Sequence, residues 1–101
     1  MRNLVDLGAE VIKVEGPGRP DPTRHGSFFS FFPENEVSED WWNRASTYNL
    51  LQRGKLSITL DLTNERARDL FRQLVSISDV VLENYTPRVM RNWGLDYPAL
   101  R

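Results

Sequence analysis

Apolar and polar positions change period several times along the chain. Met1, Leu4 and Val5 sit at helical spacing, and Gly8 is placed to end a helix in the left-handed region. Residues 9–15 then turn into Val11-Ile12-Lys13-Val14-Glu15, a β-branched strand, and Gly16-Pro17-Gly18 stops it. From Arg19 to Asn49 regularity fails. Pro20, Pro22 and Pro33 interrupt it, Phe28-Phe29 and Phe31-Phe32 flank Ser30, and Trp41-Trp42 follow Glu34, Glu36, Glu39 and Asp40. This predicts an irregular, aromatic-rich excursion over 19–49 with one short helix near Asp40 to Leu51. A stretch of that length in a compact domain is usually functional or packed on a partner.

Order returns at Leu56. Ile58, Leu60 and Leu62 alternate with Ser57, Thr59 and Asp61, the pattern of a half-buried strand. Thr63 or Asn64 can cap a following helix, with Glu65 in its first turn. Ala67, Leu70, Phe71, Leu74 and Val75 recur at i, i+3, i+4, i+7 and i+8, an apolar stripe that Ser78-Asp79 ends. Val80-Val81-Leu82 then reads as a short buried strand running to Glu83-Asn84. Strand, helix and strand predict a βαβ unit over 56–84 with parallel strands. Pro87 can start another helix, Gly94 can end it, and Tyr97 to Arg101 reads as a first helical turn.

Composition narrows the class. Within 101 residues, 13 Lys+Arg oppose 14 Asp+Glu, a net charge of -1, so no electrostatic case arises for nucleic acid or an anionic membrane. Hydrophobic residues at 40% suit a soluble globular protein rather than a disordered one. No apolar run approaches the ~18 residues that cross a bilayer, and Asp6 interrupts the short apolar patch after Met1-Arg2-Asn3, so no signal peptide is read. Without cysteine there is no disulfide framework or thiolate metal site. The expectation is a soluble, unexported, cytoplasmic protein.

Most motifs lead to plain readings. Gly16-x-Gly18 lacks the third glycine of a dinucleotide fingerprint, because Asp21 stands there, and Pro17, Pro20 and Pro22 forbid an immediate helix. It reads as a turn. His25 is the only histidine, so no histidine-based metal site can be built. Thr23, Ser27, Ser30 and Ser46 lack a nucleophile-elbow context. The aromatic cluster Phe28 to Phe32 reads as core or interface packing, since few basic residues interleave with it. The strand ends are more informative, because parallel sheets gather ligands outside their carboxyl ends. Leu60-Asp61-Leu62-Thr63 leads into a helix whose first N–H groups can face an anion, and Glu83-Asn84-Tyr85-Thr86 leads into Pro87. Thr63 and Asn84 either cap backbone here or meet a ligand.

At these residues the chain resembles the family III CoA-transferases, the group of formyl-CoA and carnitine CoA-transferases. Four blocks carry the resemblance: DLGAEVIKVEGPGRPDPTR (6–24), RGKLSITLDL (53–62), RARDLFRQLV (66–75) and SDVVLENYTPRVMRNWGLDYPALR (78–101). They leave out the aromatic segment Ser27 to Tyr48. The resemblance implies an α/β fold, part of a Rossmann-like parallel-sheet CoA-binding domain incomplete at both ends, in a protein several times this length whose two subunits interlock as a homodimer. It implies acyl-CoA and a carboxylic acid as substrates, CoA as a substrate rather than a bound cofactor, and covalent transfer through an aspartyl-CoA intermediate. It also implies that Leu60, Asp61, Leu62 and Thr63, with Asn84, Tyr85 and Thr86, contact the CoA.

Departures from the family pattern limit the carry-over. Gly16 and Asn92 stand where the family often has basic residues, so Arg19, Lys55, Arg88 and Arg91 are phosphate-binding candidates by charge alone. None of Asp6, Asp21, Asp40, Asp61, Asp69, Asp79 or Asp96 stands at the nucleophile position. No catalytic residue is assigned, and the chain by itself is expected to be inactive. Two alternatives remain open at this point: a related 2-methylacyl-CoA racemase, whose His and Asp pair would lie elsewhere, and a small non-catalytic interaction module using the aromatics.

Overall fold

The computed structural model describes residues 1–25 and 32–101. Contacts divide the chain into two compact units, Met1–Thr59 and Leu60–Arg101. The expected cluster Phe28 to Phe32 lies outside the described residues apart from Phe32, which is half-buried.

The first unit opens with helix α1 (Arg2–Asp6). Gly8 adopts φ 99° and closes the helix as its position predicts. The Gly8 N–H bonds the Val5 carbonyl and the Ala9 N–H bonds that of Leu4, a Schellman closure that satisfies otherwise orphaned carbonyls. Strand β1 (Ile12–Glu15) pairs in parallel with strand β2 (Leu56–Thr59), Ile12 opposite Leu56 and Glu15 opposite Thr59. Between them lie single turns of 3₁₀ helix at Pro22–His25, Pro33–Asn35 and Trp41–Asn43, followed by helix α2 (Ser46–Gln52). The excursion is therefore the crossover that a parallel pair requires. Among the described residues of this unit, Val11, Ala45 and Tyr48 are the buried hydrophobics, and Arg24 is buried as well.

The second unit is helical among the described residues: α3 (Glu65–Ser76), α4 (Pro87–Asn92) and α5 (Tyr97–Leu100). Leu62, Met90 and Leu95 form its core, with Leu60, Phe71, Trp93 and Leu100 packed on them. Gly94, at φ 63°, ends α4 with a second Schellman closure, its N–H on Arg91 and the Leu95 N–H on Met90. The same turn buries Leu95 against Met90, so the helix stop and the core are one device.

Two expectations are corrected. Val80-Val81-Leu82 joins no ladder among the described residues, and Val80 and Leu82 stand 70% and 61% exposed. A buried strand exists only through partners and cover, and this unit offers no other strand. The parallel pair formed is thus 12–15 with 56–59, not one spanning 56–84. The strand at Leu56 is also exposed on both faces rather than half-buried. Its alternation is present, but no layer within its unit covers it.

Candidate functional site

Segment 60–63 is built from its polar side chains inward. Asp61 Oδ1 accepts from the Thr63 N–H at 3.1 Å and from the Thr63 hydroxyl at 2.6 Å, an Asx turn. These bonds, the hydroxyl's first, hold the Asp61 carboxyl below its ordinary pKa. Asn64, rather than Thr63, caps α3: its Oδ1 accepts from the Arg66 N–H at 2.9 Å. One of the first-turn N–H groups is therefore taken by the Asn64 side chain, and the Glu65 carboxylate in that turn makes the helix start poor ground for an anion. Arg68 donates to the Leu62 and Thr63 carbonyls at 3.1 and 2.9 Å and holds the segment's backbone from the helix side. Leu62 is buried in the unit's core, while Asp61 and Thr63 are exposed.

Segment 84–86 is organised differently. Glu83 Oε2 accepts from the Tyr85 N–H at 2.6 Å and closes the turn. Asn84 is exposed, and its side chain takes no hydrogen-bond partner among the described residues. Tyr85 meets Trp93 edge to face, with ring centroids 5.3 Å apart at 74°. Thr86 precedes α4 without a side-chain cap bond, and Pro87 supplies the helical first turn. Leu62 lies in the cluster against which Trp93 packs, so both segments are anchored on one core. Of the four cations chosen by charge, Arg88 and Arg91 are exposed on α4 of this unit, whereas Arg19 and Lys55 belong to the other.

The most heavily bonded side chain among the described residues is one that residue pattern does not single out. Arg24 donates from Nε to both Glu15 oxygens at 3.1 and 3.0 Å and from Nη2 to Glu15 Oε1 at 2.8 Å. It also bonds the Trp42 carbonyl, Asn43 Oδ1 at 3.0 Å and the Tyr48 hydroxyl. Its guanidinium carbon lies 3.7 Å from the Tyr48 ring centroid. Beside it Lys13 pairs with Asp21, whose Oδ1 accepts from the Thr23 amide at 2.9 Å and hydroxyl at 2.6 Å. Strand end, 3₁₀ turns and α2 are thereby tied together. Arg24 is one of three arginines between residues 19 and 49, with Arg19 and Arg44, and the spacing of its partners is too long-range to single it out.

This network has an acid limit. Burial alone would raise the Asp21 carboxyl, but hydrogen bonds from Lys13 and Thr23 override it and lower its pKa from 3.8 to about 2. A depressed carboxylate stabilises the fold above its unfolded pKa, and that contribution disappears as pH falls through the folded one. Solvent reaches the pair, so about 1 kcal/mol is expected from it. Urea titrations of wild type and Asp21→Asn should converge by roughly that amount between pH ~4 and ~2. A constant difference across the window would contradict the assignment.

Among the described residues no group of three His, Cys, Asp or Glu side chains could hold a metal ion, and no helix is long and apolar enough to cross a membrane.

Comparison with known proteins bears on all of this. The chain is 39% identical over 97 residues to "Succinyl-CoA--D-citramalate CoA-transferase" of Chloroflexus aurantiacus, covering 96% of this chain and 22% of that protein. It is 41% identical over 99 residues to "Succinate--glutarate CoA-transferase" of Agrobacterium fabrum, covering 97% and 24%. The chain thus spans less than a quarter of the length of either relative. The crystal structure of a CAIB/BAIF family protein from Brucella suis superposes with a TM-score of 0.73 at 42% identity, over 96% of this chain and 24% of that one. The family model for CoA-transferase family III matches residues 1–101, and the chain, with its small parallel sheet and incomplete α/β domain, belongs to that family.

Proposed function

We propose that residues 1–101 form the CoA-facing part of a large domain in an enzyme that moves CoA from an acyl-CoA to a carboxylic acid. Segments 60–63 and 84–86 are its CoA contacts. The observation carrying this reading is the turn at 83–86. Glu83 closes it, which leaves the Asn84 amide unpartnered among the described residues, and Trp93 steadies the half-exposed Tyr85 ring. An amide with both donor and acceptor suits the amides of a pantetheine arm, and a flat ring suits the arm or the adenine.

The relatives' names support CoA thioesters of small dicarboxylic acids as the substrate class, and transfer over racemisation. In the proposed reaction an aspartate attacks the acyl-CoA carbonyl and expels CoA thiolate, forming a mixed anhydride. The thiolate then attacks the aspartyl carbonyl and releases the donor acid. The acceptor carboxylate collects the CoA by the reverse sequence. That aspartate lies outside residues 1–101, in an interlocked cytoplasmic homodimer, and CoA enters as substrate.

Asn84→Ala in the full-length polypeptide tests the reading. Acyl-CoA affinity by calorimetry should fall five- to thirtyfold, equivalent to ~1–2 kcal/mol for a lost hydrogen bond. Stability should change by no more than about 0.5 kcal/mol, because this side chain bonds nothing among the described residues. Unchanged affinity with a lowered melting temperature would make Asn84 a structural residue and remove the site from this turn.

A further inference from the structure

A shallow cavity of about 170 Å³ opens in the first unit between β1, α2 and β2. Lys13, Arg53 and Lys55 line it together with Asn49, Gln52 and Ser57. The chain contains only two lysines, and both are here. Their charges are not equally matched. Lys13 pairs with Asp21 and has Glu15 at 3.8 Å, and Arg53 holds Asp6 at 2.7 Å. Lys55 has no carboxylate within ion-pair distance among the described residues and donates only to Gln52 Oε1, at 2.8 Å.

An ammonium in that position is under strain that a ligand can relieve. Partial burial and then the neighbouring Lys13 charge push the Lys55 pKa below the ordinary lysine value, with Asp21 opposing only in part. The same cavity is lined by the Ser57 hydroxyl and by the amides of Asn49 and Gln52, whose NH2 groups donate to the Asn43 carbonyl at 3.1 Å and to Asp21 Oδ2 at 3.3 Å and each keep a second N–H for an anionic oxygen. Its volume is too small for a nucleotide or a drug-sized molecule, whose pockets begin near ~300 Å³, but admits one compact group.

We propose that this cavity is a binding site for a small oxyanion, a phosphate or carboxylate group, held by Lys55. It is distinct from segments 60–63 and 84–86 and does not depend on the transfer reaction. The group could belong to a free anion or to the phosphates of CoA, and these two sources are separable.

The probe is inorganic phosphate, titrated calorimetrically into the full-length polypeptide at constant ionic strength, with acetate and chloride in parallel. Phosphate or acetate should bind with one-to-one saturation, and chloride should not. Lys55→Gln should weaken the binding about tenfold, and Lys55→Arg should retain it. In the wild type, phosphate should also slow acetylation of the Lys55 amine by acetic anhydride, read by mass spectrometry, so a poorly folded variant does not leave the question open. Displacement of phosphate by CoA identifies the coenzyme as the source, and its persistence identifies a free anion. Equal affinity in Lys55→Gln, equal binding of chloride, or unprotected Lys55 would overturn the site.

Discussion

Arg24→Ala is expected to cost about 3 kcal/mol of stability, the low end of what breaking a buried ion pair costs. The pair it breaks is well enclosed, with the Arg24 and Glu15 side chains 10% and 12% exposed. Exposed pairs contribute ~0–1 kcal/mol because water replaces the lost partner, and here it cannot do so freely. The substitution strands the Glu15 carboxylate, which burial already tends to raise and Arg24 holds below its ordinary pKa. It also removes the donors to the Trp42 carbonyl, Asn43 and Tyr48. Arg24→Lys should recover less than half of the loss, because a point ammonium cannot address Glu15 in a fork and reach the others at once. Urea denaturation measures the effect. In a double-mutant cycle, Glu15→Ala with Arg24→Ala should cost clearly less than the sum of the singles. Strict additivity would mean that Arg24 acts through packing alone.

Gly54→Ala should destabilise by about 2–3 kcal/mol, from two separable sources. Gly54 sits at φ 72° in the turn joining α2 to β2, a conformation that costs a side-chain-bearing residue of order 1 kcal/mol. An added Cβ would also stand 2.6 Å from Val5 Cγ1, where α1 packs on the turn. Val5 is β-branched and stiff, so relief requires moving the helix rather than rotating a chain end. The Asp6–Arg53 pair bridges the same two elements and opposes that movement weakly, being exposed. Adding Val5→Ala to Gly54→Ala should therefore recover the clash and leave the backbone strain. A double variant no better than the sum of its parts would locate the whole cost in φ.

Local signals in the sequence translated directly into structure. Gly8 and Gly94 end α1 and α4 in left-handed turns, Pro87 opens α4, and Asn64 caps α3 one position beyond Thr63. Each depends on backbone geometry within a few residues, where propensity and capping operate. The four blocks of resemblance likewise identified the family, because identity at fixed spacing over most of the chain needs no tertiary information. Candidate segments 60–63 and 84–86 were placed by the same route. Their anchoring on Leu62, Trp93 and the core between them was not, since it joins residues some thirty positions apart.

What only the tertiary structure decided is pairing and cover. Val80-Val81-Leu82 has the composition of a buried strand, yet a strand is a relation between two segments, and no ladder partner stands beside it in its unit. Leu56 and Ile58 alternate as a half-buried strand should, yet burial belongs to the layer above, which a period of two cannot supply. The described parts of the proline-broken stretch from Arg19 are tied to β1 and α2 because Arg24 satisfies five acceptor atoms drawn from residues 15, 42, 43 and 48. Sequence determined the helix ends, the turns and the family. Partner choice, burial and the charged hub arose from long-range contacts, whose energies no local pattern encodes.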